Sequence, residues 1–225
     1  ENHDEQRVAH YTDGNVWAAV PGMMVTATLG SGPMMLYFGQ EVGEPGEGVE
    51  GFGGEDGRST IFDYWGVPEH QKWMNGGAFD GGLLSDEQQE LRGFYQDVIA
   101  FATSEPTVRN GYTYDLNWAN AGDKSSGYDR NNFAYIRYTD EEILLFVMNF
   151  DSESGREMRL KIPQAAWDHM GIEPAANYTA EEIFWGRGTL DIDTAAAAVE
   201  DDVDAGVLIE LEPNDALVYR LTPVE

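Results

Sequence analysis

At 225 residues, 42% of them hydrophobic and with 6 Trp, 11 Tyr and 10 Phe, the chain can build one large core or two small ones and lacks the composition of a disordered segment. Its net charge of -28, from 41 acidic and 13 basic residues, excludes nucleic acid and anionic membrane surfaces as expected partners, because both require a basic face. It has no cysteine for a disulfide or a thiolate metal site, and no run of about 20 apolar residues that could cross a bilayer.

The chain opens on the polar run Glu1 to Arg7, without a signal-peptide pattern, and a first residue other than Met is expected of a cut chain. Val16, Ala19, Val20, Met23, Met24 and Ala27 then recur at helical spacing behind Asn15 as N-cap. Pro21 falls inside that pattern and is expected to kink or break the helix. After Gly32-Pro33, the continuous apolar run Met34 to Phe38, closed by Gly39, predicts a buried strand. Gly43 to Gly57 is glycine-rich, acidic and without period, so it is expected to be a loop. Ser85 to Thr103 is expected to be a helix. Ser85 and Gln88 make a capping-box pattern, Leu91, Phe94, Tyr95, Val98, Ile99 and Ala102 form one apolar stripe, and Glu105-Pro106 stops it.

Near Ser104 to Asn110 the composition changes, and the rest reads as short strands. Phe133, Tyr135 and Arg137 alternate with Ala134, Ile136 and Tyr138. Ile143 to Phe150 is wholly apolar up to its end and reads as a central strand. Glu157 to Ile162, Tyr178 to Trp185, Val207 to Leu211 and Ala216 to Leu221 complete the set, with a helical turn over Gln164 to Met170 and a tight turn at Pro213-Asn214-Asp215. Asp191 to Asp204 reads as an exposed acidic loop. This spacing predicts an antiparallel β-sandwich.

The segment Glu1-Asn2-His3-Asp4-Glu5-Gln6-Arg7 concentrates amide, imidazole and carboxylate groups. A carboxylate beside an imidazole can clamp vicinal sugar hydroxyls, although a polar terminal heptad by itself is more often solvated. The order of the downstream segments is more specific. The strings ENHDEQR, GPMMLYFGQEVGEPG and GRSTIFDYWGVPEHQKW resemble α-amylase-family glycoside hydrolases, particularly α-amylases of Bacteroidetes-type bacteria. Tyr135-Ile136-Arg137 and Leu144 to Phe150 are similar to the sandwich domain of that family.

The resemblance implies an α/β plus all-β architecture: residues 1–105 as the last β/α units of a (β/α)8 TIM barrel, and residues 106–225 as the C-terminal β-sandwich. Asn2-His3-Asp4 would close barrel strand seven, and Gly39-Gln40-Glu41 would end strand eight. Asp4 would be the third catalytic carboxylate, with His3 and Asn2 binding the sugar, at the strand ends where such barrels carry their chemistry. The nucleophile and the acid/base carboxylate of a retaining glycosidase would lie upstream of residue 1, so the chain alone is expected to be inactive. An unfinished barrel exposes a parallel edge, and the missing N-terminal barrel segment is therefore an expected partner, as a separate chain or one lost by proteolysis.

The implied substrates are α-glucans such as starch or maltooligosaccharides. A transglycosylase or trehalose-forming member of the same family, and a non-catalytic fragment that binds carbohydrate or stabilises its neighbour, are the alternatives. Tyr64, Trp65 and Trp73 are candidates for stacking on sugars or for packing. Gly46-x-Gly48-x-x-Gly51 is no dinucleotide site, because no helix pattern follows and Glu44, Glu47 and Glu50 would repel a pyrophosphate. With four scattered histidines, no metal or other cofactor is expected in this chain; calcium in the intact enzyme remains open. The acid excess with only three lysines fits either adaptation to high salt or a merely acidic protein.

Overall fold

The computed structural model describes residues 1–47, 56–59, 61–62, 67–121, 126–199, 202 and 204–224. They divide into two compact units. The first comprises Glu1–Met23 and Pro33–Ala100, the second Met24–Gly32 and Phe101–Glu225.

The helices of the first part of the chain follow its local signals. After the short α1 (Val8–Tyr11) comes a 3-10 turn, Val16–Ala18, capped by the Asn15 side chain, which accepts from the Trp17 amide at 3.2 Å. It leads into α2 (Ala19–Thr28). α2 continues through Pro21 instead of breaking there, although the helical pattern from Val16 is divided into the 3-10 turn and α2. Pro21 is the third residue of the helix, where an amide has no intrahelical acceptor, so its missing N–H costs nothing. Next come α3 (Pro68–Met74), which begins on its proline, and α4 (Asp86–Ser104). The capping box forms as read: the Ser85 amide donates to Gln88 Oε1 at 3.1 Å and the Gln88 amide to Ser85 Oγ at 3.2 Å. Leu91, Phe94, Tyr95 and Val98 are buried along one stripe. Glu105-Pro106 ends α4, and Pro106 also opens α5 (Pro106–Asn110), where a proline is tolerated for the same reason as Pro21.

Met34 to Phe38 departs from the sequence reading. It forms neither strand nor helix, Phe38 begins a turn, and Met35 and Leu36 are 60% and 38% exposed. A strand exists by pairing its backbone with a neighbour, and no described segment pairs with this one. Among the described residues the first unit therefore holds helices and loops, and the strands expected of a barrel end do not form.

The second unit is the antiparallel structure expected. Its strands are β1 (Tyr112–Asp115), β2 (Asn132–Tyr138), β3 (Ile143–Asn149), β4 (Arg156–Leu160), β5 (Asn177–Glu182), β6 (Thr189–Asp193), β7 (Val207–Leu211) and β8 (Ala216–Pro223). One sheet runs β1-β2-β3-β8-β5-β6 and a second pairs β4 with β7, every pair antiparallel. Along the chain, α6 (Asn117–Asn120) connects β1 to β2, α7 (Gln164–Met170) lies between β4 and β5, and α8 (Thr194–Ala197) between β6 and β7.

All seven residues of β3 are buried, which explains its continuous apolar run. On one face Ile143, Leu145 and Val147 join a core with Met158, Leu160, Ile209 and Leu211 from the smaller sheet and Trp167 from α7. On the other face Phe146 stacks on Tyr135 at 4.8 Å and meets Phe101 at 6.5 Å, while the Tyr135 hydroxyl bonds Thr28 Oγ1 at 2.5 Å. The acidic stretch read as one exposed loop is a correction: Asp191 to Asp193 finish β6, and α8 follows with Ala197 buried. Asp193 caps that helix by accepting from the Ala196 amide at 3.1 Å, a local bond that acidic composition alone concealed.

Candidate active site

Asn2, His3 and Asp4 form the tip of a loop closed at its base. The Glu1 carboxylate accepts from Arg7 Nη1 at 2.9 Å and from the Val8 amide at 2.8 Å, so residue 1 is stitched to residues 7 and 8. Within the tip, Asn2 Oδ1 accepts from the amides of Asp4 (2.7 Å) and Glu5 (3.1 Å). The Asn2 oxygen is thus occupied with backbone, as Asx turns dictate. Asp4 is the most open of the three, its side chain 78% exposed against 41% for His3, and the two approach at 3.5 Å between His3 Nε2 and Asp4 Oδ2. A carboxylate and an imidazole presented side by side can accept from and donate to neighbouring hydroxyls of one ligand.

The base of the loop is built on Arg7, whose side chain is fully buried. Its Nη2 donates to the Phe38 carbonyl at 2.9 Å and to Ser59 Oγ at 2.6 Å, and Nε donates to Ser59 Oγ at 2.9 Å. The guanidinium lies 4.2 Å from the Tyr37 ring centroid, a cation–π contact, and the Arg7 amide donates to the Gly57 carbonyl at 2.7 Å. Tyr37 continues the network by donating its hydroxyl to the Ser59 carbonyl at 3.0 Å; burial raises that hydroxyl's pKa. The loop that carries Asp4 is therefore tied to the end of the Met34 to Phe38 segment. At Gly46, with φ +68°, a Cβ would come within 3.0 Å of Arg7 Cγ and 2.8 Å of the Gly57 carbonyl oxygen, so only glycine fits beside this clamp.

Gln40 and Glu41 lie just beyond. Gln40 accepts from the Tyr37 amide at 3.2 Å and donates to the Tyr95 hydroxyl at 3.2 Å, so it braces the turn. Burial raises the Tyr95 pKa strongly, which keeps that hydroxyl protonated. Glu41 Oε2 is buried without a hydrogen-bond partner among the described residues. Trp73 packs rather than offering a free face: His70 stacks at 5.8 Å, Phe79 lies at 5.7 Å and the Arg92 guanidinium at 5.3 Å. Tyr64 and Trp65 lie outside the described residues. Among the described residues no three His, Asp or Glu side chains converge as a metal site would, and no helix is long and apolar enough to cross a membrane.

Reading the sequence singled out the tip and missed its base. Glu1, Arg7, Tyr37 and Ser59 are brought together from three separated stretches. The one hint was an arginine three residues after Asp4, in a chain with few basic residues.

No protein-family model and no curated protein sequence matches the chain. Solved structures do. The α-amylase of Geobacillus thermoleovorans complexed with acarbose is similar over 100% of this chain and 38% of its own, with a TM-score of 0.60 and 16% identity. An Anoxybacillus α-amylase is similar over 100% and 37%, with a TM-score of 0.56 and 17% identity. An isomaltulose synthase from Erwinia rhapontici in complex with D-glucose is similar over 99% and 42%, with a TM-score of 0.53 and 17% identity. The chain thus spans about two fifths of the length of the structures it matches. The chain therefore shares its fold with part of each of these enzymes.

Proposed function

We propose that this chain is the C-terminal portion of a retaining glycoside hydrolase acting on α-glucans such as starch or maltooligosaccharides, and that Asp4 is its third catalytic carboxylate. The observation that carries this reading is the exposed Asp4 beside His3, at a loop tip tied to the Phe38 end of the Met34 to Phe38 segment. In this reading the Asp4 carboxylate accepts from two vicinal hydroxyls of the sugar undergoing cleavage. It gains strength as the ring flattens and positive charge develops at the anomeric carbon. His3 bonds the same sugar. Asn2 contributes mainly by bracing the Asp4 amide. The nucleophile and acid/base, which a retaining enzyme needs about 5 Å apart, are assigned to an N-terminal barrel segment outside this chain, with which it would act. Any calcium of the intact enzyme is likewise assigned there.

In the intact enzyme, Asp4→Ala should lower kcat on maltoheptaose by at least about 100- to 1,000-fold, the scale of losing one group aimed at transition-state charge, with the thermal midpoint unchanged. Turnover near wild type would reject the assignment. A transglycosylase is the second reading, favoured by the similarity to an isomaltulose synthase. Products decide between them: free reducing sugar supports hydrolysis, transferred glucosyl units the alternative.

A further inference from the structure

We infer that Arg7 is a positioning residue that sets the placement of Asp4 for the chemical step; this rests on the reading of Asp4 as a catalytic carboxylate. Burying a cation is costly unless it is paired and hydrogen-bonded, and Arg7 is both. Its acceptors belong to the base of its own loop (Glu1), the end of the Met34 to Phe38 segment (Phe38 carbonyl) and a third stretch (Ser59). The bonds that shape the tip internally are those of Asn2. The bonds that fix the tip relative to the rest of the unit run through Arg7, its amide to Gly57 and Gln6 Nε2 to the Asp56 carbonyl at 3.0 Å.

Asp4 itself is largely solvated, so its position is inherited from this base. A planar fork meets three directions at once, whereas an ammonium on a flexible stem cannot hold Glu1, Ser59 and the Phe38 carbonyl together in the same geometry. A shift of about 1 Å in a catalytic group costs on the order of 100-fold in rate. Because Arg7 is enclosed and touches no substrate, its loss should appear in kcat and leave KM little changed.

The test uses the intact enzyme with maltoheptaose as substrate and follows kcat, KM and thermal midpoint for Arg7→Lys, Ser59→Ala, Asp4→Ala and the Asp4→Ala/Arg7→Lys pair. Arg7→Lys should lower kcat about 100-fold, and Ser59→Ala should lower it less but in the same sense. In the Asp4→Ala background Arg7→Lys should cost nothing further, since groups acting through one another are non-additive. If Asp4→Ala is inactive while Arg7→Lys turns over normally, the positioning role fails and the catalytic assignment stands. If the Arg7→Lys loss persists undiminished on top of Asp4→Ala, Arg7 acts elsewhere and the inference is again overturned. Should Arg7→Lys fail to fold, Ser59→Ala decides, because it keeps the Arg7–Glu1 pair: a normal kcat there overturns the proposal. An active Asp4→Ala enzyme would instead sink the underlying reading.

Discussion

Arg137 illustrates how a single residue organises its surroundings. It is 1% exposed and donates to the Leu29 carbonyl (2.7 Å), the Val108 carbonyl (2.5 Å) and the Gly111 carbonyl (2.8 Å), as well as to Ser31 Oγ and Thr113 Oγ1. Leu29 follows the last residue of α2, while Val108 and Gly111 belong to the end of α5. Its charge is therefore met by the negative ends of two helices rather than by a carboxylate. Burial lowers its pKa from an ordinary guanidinium value that is far above neutral, so it stays charged. Arg137→Met should destabilise by about 3 kcal/mol or more, because the carbonyls left behind are buried acceptors worth about 1–3 kcal/mol each. A urea midpoint within error of wild type would refute this. The alternation of β2 put Arg137 on the face of Tyr135, as the sequence indicated. That this face would close over helix ends could not be read, because its partners lie more than 20 residues away.

At the scale of elements, local signals worked where the partner was also local. The capping box of α4, the turn at Pro213-Asn214 and the span of α7 form as read. They failed at Met34 to Phe38, where a strand needs a distant partner and no other described segment supplies one. β1 and β6 were missed because both are short edge strands with no buried stripe to announce them.

The junction of α4 and α5 carries a charge arrangement with a testable pH signature. Arg220 donates to Glu142 Oε1 from Nε at 2.6 Å and to Glu105 Oε2 from Nη2 at 2.9 Å, and Thr107 Oγ1 also donates to Glu142. Burial and the adjoining Glu142 carboxylate raise the Glu105 pKa, while the Thr107 and Arg220 bonds outweigh burial and lower that of Glu142. Between the unfolded carboxylate value, about 4.3, and the raised Glu105 value, the folded state holds more protons than the unfolded one, so this group's contribution falls as pH rises through the window. Glu105→Gln should remove that fall. Urea midpoints of both proteins across pH 4 to 7 check it: parallel profiles would contradict the arrangement.

For the molecule as a whole, the dominant quantity is the charge of -28. Described ion pairs such as Arg156 with Asp129 and Asp151 engage only some of the carboxylates, and the rest repel one another. Raising salt from 0.1 M to 1 M shortens the screening length from about 10 Å to about 3 Å, so the thermal midpoint should rise with molar KCl. Each 1 kcal/mol of relieved repulsion corresponds to about 2–4 °C for a chain of this size. A flat or falling midpoint would mean that specific ion pairs outweigh the general repulsion.

The amino-acid sequence by itself determined the antiparallel character of the second unit, the buried run of β3 and the helix over α4. Each is written in a period of two, a period of 3.6 or a short string of neighbouring residues. The tertiary structure alone decided that Arg7 would join Glu1, Phe38 and Ser59, that Arg137 would close two helix ends, and that Met34 to Phe38 would form no strand with another described segment. The reason is physical. Burial of a charge and pairing of a strand are properties of contacts between distant segments, and no local pattern encodes which segment will arrive.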